Sequence, residues 1–87
     1  MAKLLAKLTL QDFAKWRPMF EGMEHTRTAA GISNSRVYQN ADKPNEVLVL
    51  SDVADVAKAR SFMSSGNVRE EMQKAGIAGP PEVHFIE

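Results

Sequence analysis

The stretch "EVLVLSD", residues 46–52, is apolar on both faces that an extended chain presents: Val47 and Val49 alternate to one side, Leu48 and Leu50 to the other. A strand with one face in water alternates polar and apolar residues, so this one calls for cover on both sides of its sheet. Just before it, "ADKPN" (residues 41–45) supplies turn residues, and "SRVYQN" (residues 35–40) reads as a strand. The three together predict a hairpin.

Upstream, "KLLAKLT" (residues 3–9) alternates loosely, with Leu4, Ala6 and Leu8 on one face and Lys3, Leu5 and Lys7 on the other, and predicts a first strand. Thr9 or Asp12 then caps a helix that carries Phe13, Trp16, Phe20 and Met23 at steps of three and four and runs to Ala30. Pro18 falls opposite that arc, where its missing N–H faces solvent, so the expectation is one kinked helix rather than two. Gly31 suits the left-handed position after a helix, with Ile32 folding back on the last turn, and "KAGIAG" repeats the signal at Gly76 and Ile77.

Downstream of the hairpin, Ser51 or Asp52 opens a helix that buries Val56, Ala59, Phe62 and Met63 until Ser64, Ser65 and Gly66 interrupt it. Asn67 with Glu70 reads as a capping box for a further helix through Ala75, with Val68 and Met72 as its apolar contacts. Gly79, Pro80 and Pro81 end helical structure, and "EVHFIE" (residues 82–87) is a last strand.

The order strand, helix, strand, strand, helix pair, strand predicts one α+β domain over residues 1–87, a ferredoxin-like four-stranded antiparallel sheet with its helices on one face. Helices on one face leave the other bare. The cheapest cover for the outer side of residues 46–52 is the same face of a second copy, which predicts a homodimer. A domain of 87 residues buries only about 60–65% of its unfolded surface, so association would also add needed burial.

Eleven Lys and Arg against eleven Asp and Glu give no net charge, and the cations are scattered, so neither a nucleic acid nor a membrane surface is an expected partner. The absence of cysteine removes disulfides, thiolate nucleophiles and cysteine-based metal sites. Lys3 and Lys7 interrupt the leucines of the N-terminus, and no run approaches the roughly 20 apolar residues of a membrane span, so the chain reads as cytoplasmic.

At about 100° per residue, Phe13, Trp16, Phe20 and Met23 share one narrow arc with Arg27 inside it. This face packs on the sheet, and the same side chains can also wall an apolar ligand cavity. Arg27 at the end of such an arc snorkels to solvent, pairs with an acid or meets an anionic ligand. His25 projects opposite the arc, near Glu21 at the (i, i+4) spacing, and reads as a surface residue. His84 alternates with Val83 and Phe85, so it lies on a defined sheet face; if that face borders a cavity, His84 is the natural general base, and otherwise it is a rim or interface histidine. Tyr38 shares its strand face with Arg36 and Asn40, in a cavity or in a dimer interface. Two histidines without a carboxylate at ligand spacing make no metal motif.

The segments "DFAKWRPMFEGMEHTRTAAG", "SRVYQNADKPNEVLVL", "DVADVAKARSFMSS" and "VREEMQKAGIAGPPEVHFIE" together give the chain, over nearly its full length, a resemblance to the dimeric α+β barrel superfamily. It is most similar to the antibiotic biosynthesis monooxygenase-like or "cyclase-like" small proteins. The resemblance implies a homodimer whose two sheets pack into a barrel, a cavity between each sheet and its helices, and no cofactor. Relatives include oxygenases of polycyclic aromatic substrates that use neither metal nor flavin, haem-degrading enzymes and isomerases. The Asn, Trp and His set of the haem-degrading branch does not map position by position onto Asn34, Trp16 and His84, so that activity is not carried over.

Two readings follow. In the first, the protein binds an apolar or aromatic metabolite through Phe13, Trp16, Phe20, Arg27, Tyr38 and Phe62 and acts on it as a cofactor-independent monooxygenase or cyclase-like enzyme with His84 as base. In the second, it is a non-catalytic dimeric binding or accessory protein.

Overall fold

A computed structural model describes residues 2–79 and 81–87, with Asn67 described by its backbone alone. The elements run β1 (Ala2–Thr9), α1 (Phe13–Gly22), α2 (Glu24–Ala29), β2 (Ile32–Gln39), β3 (Glu46–Val53), α3 (Val56–Met63), α4 (Gly66–Lys74) and β4 (Glu82–Ile86). The strands form one sheet in the order β2-β3-β1-β4, every neighbouring pair antiparallel. This is the expected ferredoxin-like arrangement.

The inner strands β1 and β3 are in register from Ala2↔Val53 to Thr9↔Glu46, so Leu4, Ala6 and Leu8 share a face with Val47, Val49, Ser51 and Val53. All seven are buried under the helices. Two clusters make up this core: one gathers Leu8, Leu10, Trp16 and Val47, the other Leu4, Ala30, Ile32, Val53 and Ala59. The one polar member of the buried face, Ser51, shares a hydrogen bond of 2.8 Å with the hydroxyl of Ser35. On the other face Leu48, Tyr38 and Ile86 stay 42%, 52% and 42% exposed in the single chain. The two-sided apolarity of β3 is therefore real, and one side is uncovered.

The helix expected to run unbroken to Ala30 is two helices. Pro18 is accommodated on the exposed side of α1, and the break comes later, at Met23. Gly22 is among the poorest helix formers, and the carbonyl of Phe20 is taken by the Met23 N–H at 3.2 Å and by Arg27 Nη1 at 2.6 Å. The bond that a continuous helix would make from Glu24 is thereby displaced.

Other boundaries also shift. Asp12, not Thr9, caps α1, accepting from the Ala14 N–H at 2.9 Å. Ser51 and Asp52 belong to β3, and Asp55 caps α3, accepting from the Lys58 N–H at 3.2 Å. Ser65 caps α4 through the Val68 N–H at 3.3 Å; the side-chain half of the expected Asn67–Glu70 box lies outside the described residues, as does Pro80. β2 begins at Ile32 rather than Ser35, because beyond a bulge between Ser33 and Arg36 two more residues, Ile32 and Ser33, pair with β3. Asn34 occupies that bulge at φ 51°, a conformation asparagine tolerates, and donates to Asp52 Oδ2 at 3.0 Å. Gly31 stands at φ 82° where the chain leaves α2, as its place after a helix predicts.

Candidate functional site

The helical arc puts Phe13, Trp16 and Phe20 in a ladder. Ring centroids lie 5.8 Å apart for Phe13–Trp16 and 4.8 Å for Trp16–Phe20, the latter pair stacked. The guanidinium carbon of Arg27 sits 3.8 Å from the Phe20 ring centroid and extends the ladder by one cation. Because the chain turns at Met23, Arg27 folds back over α1 instead of snorkelling outward.

Between this ladder and the sheet lies a cavity of about 90 Å³. Its floor is Leu4, Ala6, Leu8, Ile32 and Val49; Trp16, Phe20 and Arg27 close it from α1 and α2, and Phe62, Val68 and Ala75 from the other helical half. The four described methionines, Met19, Met23, Met63 and Met72, all line it. Unbranched and polarisable, they form a wall that can repack around a guest. Three polar side chains border the space: Ser51, already bonded to Ser35; Glu71, whose carboxylate is 3.9 Å from Lys74; and Arg27.

Arg27 is the group whose bonding is incomplete. Its Nη1 is held by the Phe20 carbonyl, while Nε is buried with no hydrogen-bond partner. Burial pushes the guanidinium below its ordinary pKa, with Glu24 partly opposing the shift, and the group remains a cation. A buried N–H left unsatisfied costs about 1–3 kcal/mol.

The candidate residues separate into two places. Trp16, Phe20, Arg27 and Phe62 wall the cavity, and Phe13 stands behind Trp16, supporting it. His84 and Tyr38 are on the opposite face of the sheet: His84 pairs across from Leu5, Tyr38 from Leu48. Both are exposed, and His84 Nε2 lies 3.0 Å from Glu82 Oε1. His84 borders an open trough of about 1070 Å³ along β4, where Arg60 stacks 4.7 Å from the Phe85 ring centroid. Side chains alternate strictly across a strand, so a base at His84 cannot reach the space under Trp16 in the same chain. No described residue of the cavity wall is a histidine or tyrosine. His25 is exposed as expected, but its neighbour Glu21 is bonded to Arg17 at 2.8 Å instead.

What the sequence reading missed is the methionine wall and Glu71. Met23, Met63 and Met72 read from spacing as ordinary core; the concentration of methionine in the helices facing the sheet is the available signal. Among the described residues, no group of three or more His, Asp or Glu could hold a metal ion. None of the described helices is long and apolar enough to cross a membrane.

No protein-family model matches the sequence, and no curated protein does. Solved structures do match in fold. A protein from Bordetella bronchiseptica designated an antibiotic biosynthesis monooxygenase superposes with a TM-score of 0.81 at 17% identity, over 99% of this chain and 94% of that one. SnoaB, a cofactor-independent oxygenase from Streptomyces nogalater, gives 0.73 at 12% identity over 99% and 90%. A conserved protein from Methanosarcina mazei gives 0.74 at 15% identity over 99% and 90%. The four-stranded antiparallel sheet with helices on one face is thus the fold of the antibiotic biosynthesis monooxygenase-like proteins.

Proposed function

We propose that this chain acts in the cytoplasm as a homodimer that binds a small apolar or aromatic metabolite in the cavity between its sheet and helices. The observation that carries this reading is the wall itself. A buried tryptophan, two half-buried phenylalanines, four adaptable methionines and very few polar groups are the composition of a small-molecule site. At about 90 Å³ the space is smaller than the roughly 150 Å³ that holds benzene, so the methionines must shift to admit a ring. Trp16 is the chain's only tryptophan, is 2% exposed and lines the cavity, so it reports directly on occupancy. Titration with single-ring aromatics should change its fluorescence saturably; an unchanged spectrum across such compounds would remove the reading.

A second reading, favoured by the fold shared with SnoaB, is cofactor-independent oxygenation. Proton abstraction would then have to occur on the other face of the sheet, where His84 and Tyr38 stand and where a second copy would enclose them. The expected result is dioxygen uptake with a polycyclic phenol that falls about 10²- to 10⁴-fold in His84→Ala, the range a positioned general base supplies. Uptake unaffected by that substitution would leave the binding reading alone.

A further inference from the structure

We infer that the ligand of this cavity carries an anionic oxygen of the carboxylate class, which accepts a hydrogen bond from Nε of Arg27; the inference rests on the cavity reading above and adds the chemical class of the guest. Arg27 is fixed at two points, by Nη1 on the Phe20 carbonyl at 2.6 Å and by its stack on the Phe20 ring at 3.8 Å. A side chain held this way keeps Nε in place. Nε is buried and unpartnered, on a residue that lines the cavity.

Among the described residues no group answers that donor, and the Glu24 carboxylate acts on the guanidinium through its charge without bonding Nε. Ser51 is committed to Ser35, and Glu71 comes within ion-pair distance of Lys74 rather than Arg27. The protein therefore leaves one buried charged donor, on a side chain fixed at two points, at the wall of a largely apolar space of single-ring size or less, with the Glu71 carboxylate elsewhere on that wall. A hydrocarbon guest would keep that donor unsatisfied, and a neutral carbonyl would satisfy it weakly. A carboxylate forms the charge-assisted bond, which is shorter and about twice as strong as a neutral one and is further strengthened where water is excluded. An apolar ring against Trp16 and the methionines with an acid group toward Arg27 meets both halves of the site.

The test compares benzoate with toluene, two single rings that differ in the acid group, by titrating Trp16 fluorescence of the full chain at neutral pH. Benzoate should bind about 10- to 100-fold more tightly than toluene, the range expected for a hydrogen bond to a charged group. Arg27→Lys keeps the charge without Nε, and Arg27→Gln removes the charge; each should abolish the preference of benzoate over toluene, read as the ratio of the two affinities within each variant. Toluene binding as tightly as benzoate, or a preference that survives both substitutions in variants shown folded by circular dichroism, would overturn the inference and leave the cavity reading standing. If neither compound alters Trp16, both fall. Should the variants fail to fold, the wild-type comparison still decides.

Discussion

Trp16 is where the fold and the proposed site coincide. It is 2% exposed, stacks on Phe20, and belongs to the cluster of Leu8, Leu10 and Val47 that fixes α1 to the sheet. Trp16→Ala should therefore cost about 3–5 kcal/mol, read as a lowered urea midpoint by far-ultraviolet circular dichroism. At the other face, the Asp52 carboxyl is held below its ordinary value, first by the hydrogen bond from Lys3 and then by that from Asn34. A carboxyl with a depressed folded pKa contributes stability that is fully present above its unfolded value and is lost as pH falls through the folded one. Asp52→Asn should thus flatten the acid limb of a stability–pH curve below about pH 4, near the unperturbed carboxyl value, and leave the neutral region nearly level. Thermal melts between pH 2 and pH 7 would show it. The stripe holding Trp16 was legible because a 3.6-residue period survives any detail of packing. The posture of Arg27 was not, since it depends on the Phe20 carbonyl, seven residues earlier in the chain, being freed by the break at Met23.

That break belongs to the scale of the element. Periodicity and caps located every strand and the helical stretches, yet they extended the first helix across Met23, because Met23 continues the apolar arc and the stop signal stands only at Gly31. Proline on a solvent face leaves one carbonyl to water, whereas Gly22 and the competition for Phe20 O end the helix from within. A Cβ at Gly22 would meet nothing within 4 Å. Gly22→Ala should therefore stabilise the protein by about 0.5–1 kcal/mol through helix propensity and the entropy of the unfolded chain, raising the urea midpoint without shifting Trp16 emission. The face of His84 was illegible for a related reason. Alternation assigns it to the side opposite Val83 and Phe85, but only the pairing with Leu5 says which side carries the helices.

For the whole molecule the decisive surface is the bare face of the sheet. Leu5, Leu48 and Leu50 run through its middle with Tyr38 and Ile86 beside them, and Lys3–Asp52 and Lys7–Glu46 ion pairs mark its ends. Three strands of eight residues and one of five, spaced by the usual 4.8 Å, give this face about 450 Å² in projection. That is of the same order as the roughly 800 Å² of accessible surface each partner contributes to a standard interface. The apolar stripe of Leu5, Leu48 and Leu50 along the middle of such a face is a liability on a small domain unless covered, and its own two-fold copy would match it in shape and in polarity. Leu50 is the most telling position, half-exposed at the centre and flanked across the ladders by Leu5 and Arg36. A lysine there would face the equivalent lysine or its neighbours in a second copy and would have to be desolvated, while in a single chain it would simply extend into water. Leu50→Lys should accordingly convert a species of twice the chain mass into one of 9.6 kDa in sedimentation velocity at micromolar concentration, with little change in far-ultraviolet circular dichroism. A wild-type chain that already sediments as the single 9.6 kDa species would show that this face is left to solvent. His84 and Tyr38 would then have no enclosed space in which to act, and the cavity under Trp16 would be the one remaining site for function.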